Sequence, residues 1–504
     1  MKKKYISFLF AACLLGTMPS CSDWLDVTQN IEKDADKMFD NYSGFKGALT
    51  GCYSDLTKRD LYGTRMTMST VDALASLWYL DMSVDYYDYI KENYYLRNHD
   101  YSQTMSQSIF ESIYSNMYNA VLEVNRVIQA FQEGKGLVIS DAKSRAVVEG
   151  EAYGLRAFLH LDILRLFGQV PVEASIQVKL PYAEVTSFEQ SLTYYTFDEY
   201  VSKLKEDIER AKLLLKENDP VGQYTLLELN QVGTKDSDVT LDDDFMSYRQ
   251  YRMNYWAVRA LEARMYLYLG DKAKAHDVAL EVINAKTASG KNVVELSSFQ
   301  DYGQATHKVY SSPSECLFSL HFANLHDISV PLLYGKPEVE GETNAGVVSA
   351  QRNLVMSTTW KDDLFVGCDP NDVREDIWSD TKDSQSHEYP TISKYYVEED
   401  SPGIIPLLRL SEMYLIAMEG ATTLEEVNTL YSKYMVSKNV SRSDYFKSFD
   451  DLKIELPKEY RREFFAEGQM FYFYKRNKTQ RLWSNESMLM DEGLYIIPNP
   501  DTDF

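Results

Sequence analysis

The chain has 504 residues, 44% of them hydrophobic and 25% charged, and its 52 Lys and Arg stand against 76 Asp and Glu for a net charge of −24. Such a composition excludes a wholly disordered chain and a small disulfide scaffold. An acidic balance of this size repels phosphate backbones, and with no run of five basic residues in the chain it argues against a nucleic-acid partner.

The first twenty residues read as a leader. Lys2, Lys3 and Lys4 precede an apolar run from Tyr5 to Met18, too short to cross a hydrocarbon core but of the length of a secretory signal. Ser20 and Cys21 follow, and a Cys at this point matches a bacterial lipoprotein signal, with Cys21 as the acylated first residue of the mature chain. Acyl chains contribute about 0.8 kcal/mol per buried methylene, so several of them hold a protein on a membrane. Cys52, Cys316 and Cys368 remain; their spacing makes no disulfide framework and no metal or redox motif, and it leaves open whether any two are bridged.

Beyond the leader, apolar residues at Phe45, Ala48, Leu49, Cys52, Tyr53 and Leu56 fall on one helical stripe. Residues 60–104 are polar, Tyr-rich and weakly periodic, and read as a loop. Helices are predicted over 109–131, ended by Gly134 and Gly136, and over 143–167, ended by Gly168 and Pro171. The second is apolar on nearly every side from Leu155 to Phe167, which requires other helices around it. An amphipathic helix is predicted over 197–215 and an antiparallel pair over 251–285. Ala263, Tyr266, Gly270, Ala275 and Ala279 of that pair occupy the small and aromatic positions of a tetratricopeptide repeat, without a strict repeat period. Residues 290–403 are irregular, with short strands such as Cys316–Leu320; so long an irregular region is more often functional surface than linker. Helix is predicted again over 407–418 and 457–476.

Four stretches carry a family resemblance: GFKGALTGCYSDL (44–56), EAYGLRAFLHLDILRLFGQVPV (151–172), PLLRLSEMYLIAMEG (406–420) and EYRREFFAEGQMFYFYKR (459–476). Together they resemble the SusD/RagB family of nutrient-binding outer-membrane lipoproteins. The resemblance implies a mostly α fold, with a scaffold of tetratricopeptide-like helical hairpins and an irregular, loop-rich ligand-binding half. It divides the chain into a signal peptide (1–20), an N-terminal SusD-like helical region (21–290, with the Tyr-rich loop 60–104) and a C-terminal RagB/SusD-like region (291–504). It implies a lipid-anchored, surface-facing outer-membrane protein that binds an oligosaccharide, or a peptide, for a SusC-like TonB-dependent β-barrel transporter, with no catalysis and no cofactor. It leaves the ligand open, since 60–104 and most of 290–400 align with nothing in the family.

Read without the family, the sequence contains no nucleotide-binding, zinc-protease or nucleophile-elbow motif. A pair of glycosidase carboxylates among 76 acids has no sequence signature, so a secreted glycoside hydrolase is one rival reading, and a protein-binding lipoprotein without a nutrient ligand another. No metal-ligand spacing is present. Asp372 and Arg374 read as a loop-fixing pair, and Arg461, Arg462, Glu463 and Glu467 as a structural ion-pair cluster. Eight aromatics stand between positions 78 and 101 beside Asp81, Asp85, Asp88, Arg97 and Asn98. Aromatic faces meet the C–H faces of sugars, and the polar groups meet their hydroxyls. The ligand-contact candidates are therefore Trp78, Tyr86, Tyr87, Tyr89, Arg97 and Asn98, with Trp360 and Trp378 from the irregular half. Trp78 follows Leu74 and Leu77, and the competing reading is that it continues a buried stripe.

Overall fold

The computed structural model describes residues 37–80, 88–187, 189–235, 237–298, 313–334, 354–382, 388–397, 403–442 and 445–500. The leader and Cys21 lie outside these residues. Asn41 starts helix α1 (Tyr42–Leu56) by accepting the Gly44 N–H at 3.0 Å, and the predicted stripe of Phe45, Leu49, Cys52 and Leu56 is buried. A one-turn helix α2 (Thr70–Leu74) and helix α3 (Asp88–Arg97) follow, so the Tyr-rich stretch is partly helical where the sequence reads as loop. The long helices α4 (Thr104–Gln132), α5 (Ala142–Phe167) and α6 (Phe197–Leu215) cover the predicted spans, and α7 (Tyr255–Tyr268) and α8 (Lys272–Ile283) lie within the predicted pair 251–285.

Each of these helices packs on the next. Helix α1 lies on α4, α4 on α5, α5 on α6, α6 on α7, and α7 on α8. Helix α5 is buried on all sides from Gly154 to Phe167, as apolar residues on nearly every side require, with Arg156, His160, Asp162 and Arg165 buried among them. Close approach is possible because Gly150 has no side chain: a Cβ there would stand 2.8 Å from Leu215. In the α7–α8 hairpin, Ala263, Ala275 and Ala279 are fully buried and Gly270 takes the left-handed turn at φ +82°, the small-residue packing expected of a repeat-like pair. The fold is mostly helical, as expected.

The C-terminal half contains two antiparallel strand pairs. Strand β1 (Cys316–Phe322) pairs with β4 (Gly403–Arg409), from Cys316 opposite Arg409 to Phe322 opposite Gly403; β2 (Trp378–Lys382) and β3 (Glu388–Ile392) form a hairpin. Before that hairpin comes helix α9 (Thr358–Phe365). Helices α10 (Leu410–Gly420) and α11 (Leu424–Ser437) continue the array, α10 packing on α8 and α11 on α10.

Two predicted helices change and one is added. Leu407 to Arg409 belong to β4, because β-bridging to β1 captures them before the helix starts. Helix α11 is absent from the sequence reading. The predicted helix 457–476 is two, α12 (Phe449–Phe464) and α13 (Met470–Arg476). Helix α12 starts early because Ser448 and Asp451 cap it reciprocally: Asp451 N–H donates to Ser448 Oγ at 3.1 Å, and Ser448 N–H to Asp451 Oδ2 at 2.9 Å. The break comes where Ala466 (φ +64°) and Gly468 (φ +67°) turn the chain.

That turn is the centre of a buried polar knot. Asp72 of α2 accepts the backbone N–H of Ala466 at 2.6 Å and of Gly468 at 3.1 Å. Arg409 donates to Glu463 at 2.6 Å, to both oxygens of Glu467 at 2.8 and 2.9 Å, and to Glu315. Lys394 donates to Glu467 and to the carbonyls of Glu463 and Phe465. Arg374 holds Asp372 at 2.6 Å and Glu459 at 2.7 Å, and Lys438 reaches Glu463 at 3.2 Å. Glu463 and Glu467 thus belong to a structural cluster, as expected, but their partners come from distant elements rather than from the same helix. Cys52, Cys316 and Cys368 are free thiols; burial raises Cys52 to about 12 and Cys368 to about 11.

Glu459 gives this knot a pH signature. Burial pushes its carboxyl up, but Arg374 and Arg462 pull harder and hold it at about 2, against an ordinary 4.5. A depressed folded-state value means the stabilisation is complete above pH 4.5 and is lost as the pH falls toward 2. Glu459→Gln is therefore expected to flatten the acid limb of stability measured by urea unfolding between pH 6 and 3. Parallel limbs for wild type and variant would show that Glu459 does not carry it.

Candidate functional site

Two tryptophans from the candidate set are core residues. Trp78 is 1% exposed, donates its indole N–H to the Met68 carbonyl at 2.8 Å and meets Phe465 edge-on with ring centroids 4.9 Å apart. Trp378 is also buried and meets the same Phe465 at 4.9 Å. Neither offers a face to a ligand: Leu74, Leu77 and Trp78 do continue a buried stripe, and Trp378 turns inward from the start of β2. Asn98 donates its side-chain N–H to the Tyr94 carbonyl at 2.8 Å, closing the end of α3. Tyr86, Tyr87 and the Tyr89 side chain lie outside the described residues.

The residues beside these core groups form a half-buried aromatic cluster. Tyr79 follows Trp78 in the chain and is held by an isolated antiparallel bridge, its N–H donating to the Val355 carbonyl at 2.9 Å. Its ring meets Trp360 edge-on at 5.6 Å and stacks on Tyr389 of β3 at 6.1 Å. Trp360 sits in α9, whose first turn is capped by Ser357, and lies 6.1 Å from Trp483. Arg97, at the end of α3, places its guanidinium 4.6 Å over the Trp360 ring and donates to the Ser484 carbonyl at 2.6 Å. Arg461 lies 4.9 Å from the Trp483 ring, and the Trp483 indole N–H donates to exposed Asp363. Burial lowers Arg97 to about 10, against the pull of Tyr79, so it remains cationic at neutral pH.

Four elements distant in sequence thus bring together half-exposed rings, two guanidinium groups and one exposed carboxylate. Such a surface offers apolar faces for C–H groups and directional donors and acceptors for hydroxyls. The structure joins Arg97 and Trp360 of the expected set and adds Tyr79 and Trp483. Trp483 stands alone in a polar stretch near the C-terminus, and an isolated Trp among polar residues was its sequence signal. Only the fold shows that it lies against Trp360.

The core and surface tryptophans are separable by experiment. Trp78→Ala removes a fully buried indole and is expected to lower unfolding stability by about 3–5 kcal/mol in urea titrations. Trp360→Ala, at a half-exposed ring, is expected to lower it by no more than about 1–2 kcal/mol. Equal losses at both positions would place Trp360 in the core.

Residues 23–225 match the family model for SusD-like proteins, described as starch-binding and associating with the outer membrane. Curated protein sequences give no match. Solved structures give many. A SusD superfamily protein from Bacteroides thetaiotaomicron superposes with a TM-score of 0.66 at 20% identity, over 91% of this chain and 94% of that one. Surface glycan-binding protein A from Bacteroides uniformis gives 0.63 at 16% identity, over 91% and 94%. A laminarin-binding SusD-like protein gives 0.58 at 14% identity, over 87% and 92%. The family model is thus matched across the N-terminal helices, and the chain shares the fold of SusD superfamily structures over nine tenths of its length.

Proposed function

We propose that the chain binds an oligosaccharide on the Tyr79–Trp360–Trp483 surface, as a lipid-anchored protein of the outer membrane, and passes it to a SusC-like TonB-dependent β-barrel transporter. The observation that carries the reading is the cluster itself: three half-buried rings held in fixed geometry and flanked by Arg97, Arg461 and Asp363. Fixed rings lose little conformational entropy on binding, so their contact with a sugar face is retained as affinity. The match to a starch-binding family model and the likeness to two structural neighbours, one glycan-binding and one laminarin-binding, support the same ligand class. Tyr86, Tyr87 and Tyr89 follow Tyr79 closely in the chain and belong to the proposal as further ring contacts.

The reading is binding without turnover. Glycoside hydrolysis needs two carboxyl groups about 5–9.5 Å apart across the scissile bond. At the described cluster the carboxylate contact is that of Asp363, already engaged by the Trp483 indole. Among the described residues no helix is long and apolar enough to cross a membrane, and the proposed attachment is through acylated Cys21.

Retention in native gels cast with neutral polysaccharides is expected for the wild type, with Trp360→Ala weakening it about tenfold, or about 1.4 kcal/mol. Unchanged retention in that variant would move the site elsewhere, and release of reducing sugar by the wild type would replace binding with hydrolysis. Cys21→Ala is expected to shift the protein from the membrane pellet to the soluble fraction; a variant that stays in the pellet would rule out the lipid anchor.

A further inference from the structure

A cavity of about 850 Å³ opens elsewhere in the fold, between the C-terminal half of α1, residues 244–252 and the end of β1. It shares no residue with the Tyr79–Trp360–Trp483 cluster, and its size is that of a small-ligand pocket. Three features of its wall are unexplained by core packing.

The first is Tyr248. Its side chain is 50% exposed, yet its backbone is held at φ +55°, ψ +39°, the left-handed region that costs a non-glycine residue about 1–2 kcal/mol. The hydrogen bond from its N–H to the Leu229 carbonyl at 2.9 Å fixes that conformation. Strain kept at an exposed aromatic marks a residue positioned for something other than folding. The second is the ring wall. Tyr248 stacks on Tyr251 with centroids 6.3 Å apart and planes 30° from parallel, and exposed His321 meets Tyr251 edge-on at 5.7 Å. The third is Arg252. Its Nε donates to Glu151 at 3.0 Å, its Nη1 to the Phe245 carbonyl at 3.2 Å, and its guanidinium lies 3.6 Å from the Phe245 ring centroid. Its Nη2 is buried and has no hydrogen-bond partner. A buried donor left unmade costs about 1–3 kcal/mol, so the guanidinium is held in the cavity wall at some expense to folding.

Charge selects the class of ligand. Glu151 pairs with both Arg252 and Arg249, and Arg249 pairs with Asp219 at 2.8 Å, so two cations meet two anions. With no uncompensated positive charge in this group and Asp244 on the cavity wall, an anionic ligand gains nothing over a hydroxyl. A stacked tyrosine face, one guanidinium in the wall and a rim that includes Thr57 and Asn324 suit a neutral sugar ring. We propose that this cavity is a second subsite for a neutral sugar, with Tyr248 and Tyr251 as its floor and Arg252 in its wall. The proposal deepens the carbohydrate-binding reading and rests on it.

The test uses the full chain and native gels cast with laminarin, starch or xylan, followed by titration with the matching oligosaccharide. Tyr248→Ala and His321→Ala are each expected to weaken retention about fivefold, and Tyr248→Trp, which keeps a flat face, to preserve it. Thermal midpoints are measured for all variants; if Tyr248→Ala is destabilised, the exposed His321→Ala decides. Retention equal to wild type in His321→Ala and in a folded Tyr248→Ala overturns the second subsite, and a loss confined to Trp360→Ala then leaves the first site standing. A loss in the cavity variants with Trp360→Ala unchanged supports the cavity and overturns the first site. If none of the three glycans retards the wild type, both readings fall together.

Discussion

The fold depends on one turn near the C-terminus being received by a carboxylate from the first hundred residues. Asp72 accepts two backbone N–H groups of the Ala466–Gly468 turn, and burial pushes its carboxyl well above the usual range. The turn cannot be built from ordinary residues. Gly468 lies at positive φ, and a Cβ there would stand 2.1 Å from the Met66 carbonyl oxygen. Between Ala466 and Gly468, Glu467 enters the Arg409 and Lys394 pair, while Tyr395 donates its hydroxyl to the Ala466 carbonyl at 2.9 Å. Four chain segments therefore meet at a place where almost every polar atom is matched. Removing one member leaves a buried charge without its counterpart, a loss of about 3–5 kcal/mol, whereas the intact pairs are close to neutral in net stability. The knot's effect is to fix which segments meet, and so where their neighbours in sequence are displayed.

The aromatic surface is a consequence of that fixing. Phe465 precedes the turn and meets both Trp78 and Trp378 edge-on. Tyr79 is the next residue after Trp78, so anchoring one ring in the core aims the other beside Trp360. Helix α9, which carries Trp360, is tied to α12 where Arg462 donates to the Leu364 carbonyl at 2.8 Å. Arg461, one residue earlier, lies at Trp483 instead. Adjacent positions alternate between support and display, at 78 and 79 and again at 461 and 462.

This alternation explains what the sequence made legible. Helix periodicity placed α1 and α4 to α8, because the Phe45–Leu56 stripe of α1 and the nearly all-round apolar surface of α5 are local patterns. The start of α12 was also legible in Ser448 and Asp451, a capping pair that the reading passed over. The break after Phe464 was less so: Gly468 is the local signal within EFFAEGQMFYF, and the partners that hold the turn come from residue 72, strand β4 and residue 394. Composition drew attention to the aromatics after residue 77. It could not tell Trp78 from Tyr79, since the difference between core and surface there is one residue's register. Trp483 gave no clustering signal, because its neighbours in space come from residues 97, 360 and 363.

The same logic assigns roles to the motif that carries the family resemblance. In the stretch from Glu459 to Gln469, Glu459, Arg462, Glu463 and Glu467 are ion-paired in the interior, Phe464 and Phe465 are core, and Gln469 accepts from Arg165 at 3.0 Å. Arg461 is the exception that reaches the aromatic surface. A motif whose groups are matched inward constrains the scaffold and says little about cargo. Tyr79, Trp360 and Trp483, and in the cavity Tyr248 and His321, sit one or more residues away from the knot's members and can change without unpairing any of them. A fold shared at 20% identity over nine tenths of two chains is compatible with such a division between buried pairs and displayed rings.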